Sequence, residues 1–151
     1  KKQEGSDIDE LNDWVLQNRN HLCHWFTVND LNYLKRGGRV SASSAILGTM
    51  LSVKPILHVD KEGHLILREK TRGRRKSLES LAGHMEKFCV KPKEQTIFIG
   101  HGDGFNDAVI LSIMVKQRFA VKDVVISNIG PIIGAHTGPD VIALFFFGGE
   151  K

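Results

Sequence analysis

The chain has 151 residues, 41% hydrophobic and 25% charged, which is the length and composition of one globular domain with a real core and excludes the disordered and collagen-like classes. No stretch approaches the roughly 20 consecutive apolar residues of a membrane-spanning helix. A net charge of +4 is too mild by itself to imply nucleic-acid binding. The polar opening, Lys1 to Asp7, offers no apolar run for a secretory signal. With no initiator Met, the chain is expected to be a piece of a longer one. Cys23 and Cys89 lie far apart without metal-ligand spacing, so neither a disulfide framework nor a metal site is expected, and a reducing cytoplasm is the default compartment.

Ser6-Asp7-Ile8-Asp9-Glu10 carries a cap residue and acids ahead of Leu11, Trp14, Val15 and Leu22, which predicts a first helix. Residues 27–34 read as a second short helix capped by Thr27 and stopped at Gly37-Gly38. Ser41-Ala42-Ser43-Ser44 starts a third, carrying Ile46, Leu47, Met50 and Leu51. The period then changes to two. Residues 55–59 and 64–68, joined by Asp60-Lys61-Glu62-Gly63, predict a β-hairpin. Residues 76–88 return to helix with Leu78, Leu81, Met85 and Phe88 on one face, and Pro92 follows. Residues 96–99 read as a buried strand, residues 106–119 as a helix, and residues 124–126 and 141–147 as two more strands. This order predicts an α/β fold, a mixed β-sheet with flanking helices, in a single domain over residues 1–151.

Four stretches carry candidate chemistry. Residues 130–139 hold three glycines and two prolines, which fix a backbone path that displays His136 and Thr137. Imidazole can donate from one nitrogen and accept at the other, so His136 suits a carboxylate, a phosphate or a proton transfer; its plain role is to satisfy a backbone carbonyl. In Tyr33-Leu34-Lys35-Arg36-Gly37-Gly38-Arg39-Val40-Ser41 a double-glycine turn aims Arg39 and the amide-rich start of the following helix at one place, an arrangement for an anion or simply a helix connection with a solvated arginine. Residues 68–76 contain six basic side chains and one acid, which suits an acidic protein surface or a solvated loop, and the absence of any aromatic gives base stacking little support. Gly100-His101-Gly102-Asp103-Gly104 is a weak phosphate-loop match because Asp103 would repel the ligand, and it reads as a cap or turn. His21 and His24 are three apart on the first helix, a metal-compatible spacing without supporting carboxylates or thiols. No nucleophile elbow is present, against a hydrolase.

Taken together, residues 32–41, Ile46-Leu47-Gly48, residues 53–57, Thr71-Arg72-Gly73 and residues 133–139 resemble, in order and spacing, the carboxyl-terminal half of the DegV family of bacterial fatty-acid-binding proteins. One position departs: Asp140 stands where that family usually has glycine. The resemblance implies a two-domain protein that encloses a long-chain fatty acid between its halves. It presents the carboxylate to an ATP-using fatty-acid kinase, whose acyl-phosphate product enters phospholipid synthesis. It places His136 on the head group and Arg72 at the kinase-docking position, while the family's head-group hydroxyls belong to the amino-terminal half, absent here. Thr137, with its nearby hydroxyl, and Arg39, with its charge, are expected to assist His136. No catalytic residue, cofactor or metal is implied. The helix of Ile46, Leu47, Met50 and Leu51 is a candidate tunnel wall. The alternatives are an enzyme using His136 as general base or phosphoryl acceptor, and a nucleic-acid-binding module using residues 68–76.

Overall fold

The computed structural model describes residues 1–40 and 53–149. The first helix, α1 (Ile8–Asn18), opens on a capping box in which the Asp7 carboxylate accepts the N–H groups of Asp9 and Glu10 at 3.0 and 2.9 Å while Glu10 accepts the Asp7 N–H. Donors that the helix cannot satisfy internally are thereby paired. The helix ends before the apolar spacing predicts. Leu22–Thr27 form strand β1 instead, because β-favouring Trp25, Phe26 and Thr27 find strand partners on both sides. His21 and His24 consequently share no helix: His21 closes a short 3-10 turn and His24 lies on β1. Thr27 is buried at the end of β1 and caps nothing; Asp30 caps α2 (Leu31–Arg36), accepting the Asn32 N–H at 2.8 Å. The helix expected from residue 41, with Ile46, Leu47, Met50 and Leu51, lies outside the described residues.

The remaining elements are β2 (Val53–Val59), β3 (Leu65–Arg72), α3 (Arg74–Phe88), β4 (Thr96–Gly102), α4 (Phe105–Phe119), β5 (Asp123–Asn128), α5 (Pro131–Thr137) and β6 (Val141–Phe147). They build the mixed sheet that the sequence predicts, in the order β3-β2-β1-β6-β4-β5. Only β4 and β5 run parallel, joined over the sheet by α4 as a parallel pair requires. β6 sits between β1 and β4, which explains its unbroken apolar run: both of its faces are covered. Ile142, Leu144 and Phe146 join the core formed with Leu78, Leu81 and Met85 of α3 and Leu111 and Val115 of α4. Val141 and Ala143 join Phe26, Leu57 and Leu34 in the core beneath α2.

Under α3, the Trp25 ring is stacked between His58 and His84, with centroids 4.7 and 3.8 Å away. His84 Nε2 lies 3.2 Å from a Glu69 oxygen. Burial pushes the His84 pKa below its ordinary value, against the opposing pull of Glu69, with Lys87 and Arg68 adding to the depression. A histidine held neutral in the fold binds fewer protons than in the unfolded chain, so its contribution is complete above the unfolded value of 6.5 and is lost as pH falls below it. Urea midpoints measured at descending pH from 7.5 should fall, and His84→Gln should flatten that fall, by no more than one proton's slope of about 1.4 kcal/mol per pH unit. An unchanged slope would contradict the assignment.

Candidate functional site

Helix α5 begins at Pro131, where a missing N–H costs nothing, so the stretch read as a fixed turn is helical through residue 137. That correction decides what faces outward. Residues four apart share a helix face, which places Ile132 beside His136 and Ile133 beside Thr137. Ile132 and Ile133 are 79% and 59% exposed, an unusual apolar display next to a half-buried imidazole. The buried Thr137 hydroxyl donates to the Ile133 carbonyl at 2.9 Å, so its proton is committed within the helix and only its acceptor capacity remains.

Two glycines aim the imidazole. Gly37 follows α2 with an ordinary φ of −76°, so conformation does not require glycine there. Space does: a β-carbon on Gly37 would collide with Nδ1 of the His136 ring. At the end of α5, Gly138 has φ 75° and a β-carbon there would lie 2.5–2.8 Å from Tyr33 ring atoms. Each segment thus contributes one ring and one glycine to the other, and two motifs far apart in sequence become one unit. Gly38, by contrast, has φ 70° and open space around it, so it serves only the turn. The Arg39 N–H donates to the Leu34 carbonyl at 2.8 Å and its Nη1 to the Gly37 carbonyl at 2.9 Å. The exposed guanidinium therefore wraps the same glycine that His136 covers, which brings the two sequence-predicted anion ligands to one place.

The Asp140 carboxylate is held by Asn29, whose Nδ2 donates to Oδ2 at 2.7 Å. Asn29 is a residue the sequence reading missed, because nothing in a lone loop asparagine signals a partner so distant in the chain. Gly102 ends β4, Asp103 forms a left-handed turn at φ 57°, and Gly104 precedes α4 without a side-chain cap, so Asp103 is the turn residue and not the cap. The adjoining pocket, about 620 Å³, is lined by Asp103, Asp107 and Asp140, a field that disfavours phosphate. Among the described residues, the grouping with metal-ligand proximity is Asp60, Glu62 and His64 at the hairpin turn, which includes neither His21 nor His24.

The basic run divides between the edge strand β3, with Arg68, Lys70 and Arg72, and the first turn of α3, with Arg74, Arg75 and Lys76. Arg72 is exposed at the strand's end. Three cations at a helix start oppose the helix dipole, and Gly73 supplies no capping side chain. Arg74 alone turns inward, donating from Nε to Asp107 at 2.7 Å and from Nη2 to the Asp140 carbonyl at 2.6 Å.

A family model described as "Uncharacterised protein, DegV family" matches residues 2–148. The chain belongs to the DegV family. A DegV domain-containing protein of Clostridium perfringens is 48% identical over 150 residues, covering 99% of this chain and 52% of that protein. Among solved structures, a fatty-acid-binding DegV family protein of Streptococcus agalactiae is 30% identical with a TM-score of 0.80, covering 99% of this chain and 52% of its own. A DegV lipid-binding protein of Thermotoga maritima is 25% identical with a TM-score of 0.82, covering 99% and 51%. The chain therefore spans about half the length of these relatives, and its mixed sheet with flanking helices is the DegV fold.

Asp140, at a position where the resemblance leads us to expect glycine, has a backbone that glycine would suit. Its φ of 61° is one that glycine adopts freely, and the aspartate is retained there by the bond to Asn29. The glycine contacts give separable expectations. Gly138→Ala, strained in both backbone and space, should cost on the order of 2–4 kcal/mol in urea unfolding. Gly38→Ala should cost about 1 kcal/mol and leave the His136 ring resonances in place. Gly37→Ala should move those resonances, since the atoms nearest the added methyl all belong to the imidazole; unmoved His136 signals in Gly37→Ala would refute the packing.

Proposed function

We propose that this chain is the carboxyl-terminal, lipid-binding half of a cytoplasmic DegV protein that encloses one long-chain fatty acid between two domains and performs no chemistry itself. The observation that carries this reading is α5, which presents exposed Ile132 and Ile133 beside the imidazole of His136, with Arg39 anchored on the glycine under that ring. An apolar surface ending in nitrogen donors is complementary to an acyl chain ending in a carboxylate. Burying a saturated chain of about sixteen carbons gains on the order of 12 kcal/mol before ordering costs, so affinity resides in the chain. The head group must then be met by donors, because an unpaired buried carboxylate would cancel much of that gain. The names of the S. agalactiae and T. maritima relatives support the same ligand class. The second half of the head-group site comes from the amino-terminal domain.

Presentation to a fatty-acid kinase, for acyl-phosphate formation in phospholipid synthesis, is the further part of the proposal. It is favoured by an exposed Arg72 within a basic run whose placement at a helix start is electrostatically costly, and which would steer an acidic partner. The enzyme alternative needs a group to activate or relay through His136, and the nearest carboxylate in sequence, Asp140, is engaged by Asn29. Mass spectrometry of lipid extracted from the longer protein should find one fatty acid per chain; a lipid-free protein that takes up none on addition would overturn the reading. Arg72→Ala should keep that fatty acid while reducing kinase-dependent acyl-phosphate formation at least tenfold at limiting protein, and loss of the lipid instead would contradict the docking role.

A further inference from the structure

Resting on the fatty-acid reading above, we infer that Arg74 is a positioning residue for the head-group site, fixing the backbone that follows His136. The guanidinium is half-enclosed, with a side-chain exposure of 20%, and it bridges two elements besides its own: Nε to the Asp107 carboxylate of α4 and Nη2 to the Asp140 carbonyl in the turn between α5 and β6. That turn is built to be held. Asp140 adopts φ 61°, its N–H donates to the Gly102 carbonyl at 2.6 Å, and its carboxylate accepts from Asn29 at 2.7 Å. Three anchors from three segments thus converge on one residue, held in a left-handed conformation that few side chains other than those of asparagine and aspartate tolerate. Gly104 lies alongside this junction: a β-carbon there would press on Ile142 Cδ1 at 3.2 Å and come into ordinary contact with the Asp140 Cα and Arg74 Nη2.

Stability alone is a poor explanation of this arginine. Its Nη1 is buried without an acceptor among the described residues, an arrangement that costs free energy. What the planar fork supplies is geometry: two bonds in fixed directions from one group, which lysine cannot reproduce. Between Asp140 and His136 lie only Thr137, Gly138 and Pro139, and Gly138 is clamped by Tyr33. Fixing the Asp140 carbonyl therefore fixes the exit of α5 and the direction of the imidazole. Arg74 also lies two residues from Arg72, so the strand end offered to a partner and the helix end offered to the lipid are tied by one side chain.

The test uses the longer native protein loaded with palmitate labelled with carbon-13 at the carboxyl carbon. Donors aimed at the bound carboxylate favour its ionised form, so releasing them raises its titration midpoint. In Arg74→Lys, palmitate should remain bound at one per protein while the carboxyl midpoint rises by on the order of one pH unit. Asn29→Ala, which loosens the same residue from the other side, should shift it in the same direction and keeps the test open if Arg74→Lys folds poorly. A midpoint unchanged in both variants with palmitate retained would overturn the positioning role. Failure of the unsubstituted protein to bind palmitate would overturn the fatty-acid reading on which it rests.

Discussion

The reciprocal packing of two rings on two glycines is the constraint on which the site depends. His136 lies against Gly37 and Tyr33 against Gly138, so neither α2 nor α5 can move without opening both contacts. Short helices of six and seven residues have little stability of their own, and this interlock makes them a fixed platform. The sheet beneath contributes the rest. Leu34 of α2 is buried in the core over β1, β2 and β6, which ties the platform to the centre of the fold.

Function follows from what the platform leaves outside. Ile132 and Ile133 of α5 stay largely exposed among the described residues, and Ile132 lies one turn before His136, which is gathered with Arg39 around Gly37. Separating affinity from recognition in this way is an economical solution for a fatty acid. The chain supplies most of the favourable free energy through non-directional burial, while a few directional donors decide where the carboxylate points.

Much of the fold was legible because its signals are local. The hairpin of β2 and β3, the helices α3 and α4, and the doubly covered β6 all announce themselves by period and length. β1 did not. Its Trp25-Phe26 pair follows a helical pattern closely enough that only pairing with β2 and β6 decides for strand, and that misreading carried His24 and Thr27 with it. α5 was hidden for a different reason: three glycines and two prolines in residues 130–139 read as turn chemistry, whereas Pro131 begins a helix and Gly138 ends it. His136 and Arg39 were visible as residue types near glycines, and what the sequence could not express is that the glycines of one motif make room for the rings of the other. Asn29 and Arg74 were invisible as site residues, since their importance lies in long-range bonds to Asp140.

The most direct measurement is a crystal structure of the longer protein with a sixteen-carbon fatty acid. The expected result is an acyl chain against Ile132 with a carboxylate oxygen about 3 Å from a ring nitrogen of His136, the ring still seated on Gly37. A solid interior at that place, with the imidazole turned into bulk solvent, would contradict the central claim.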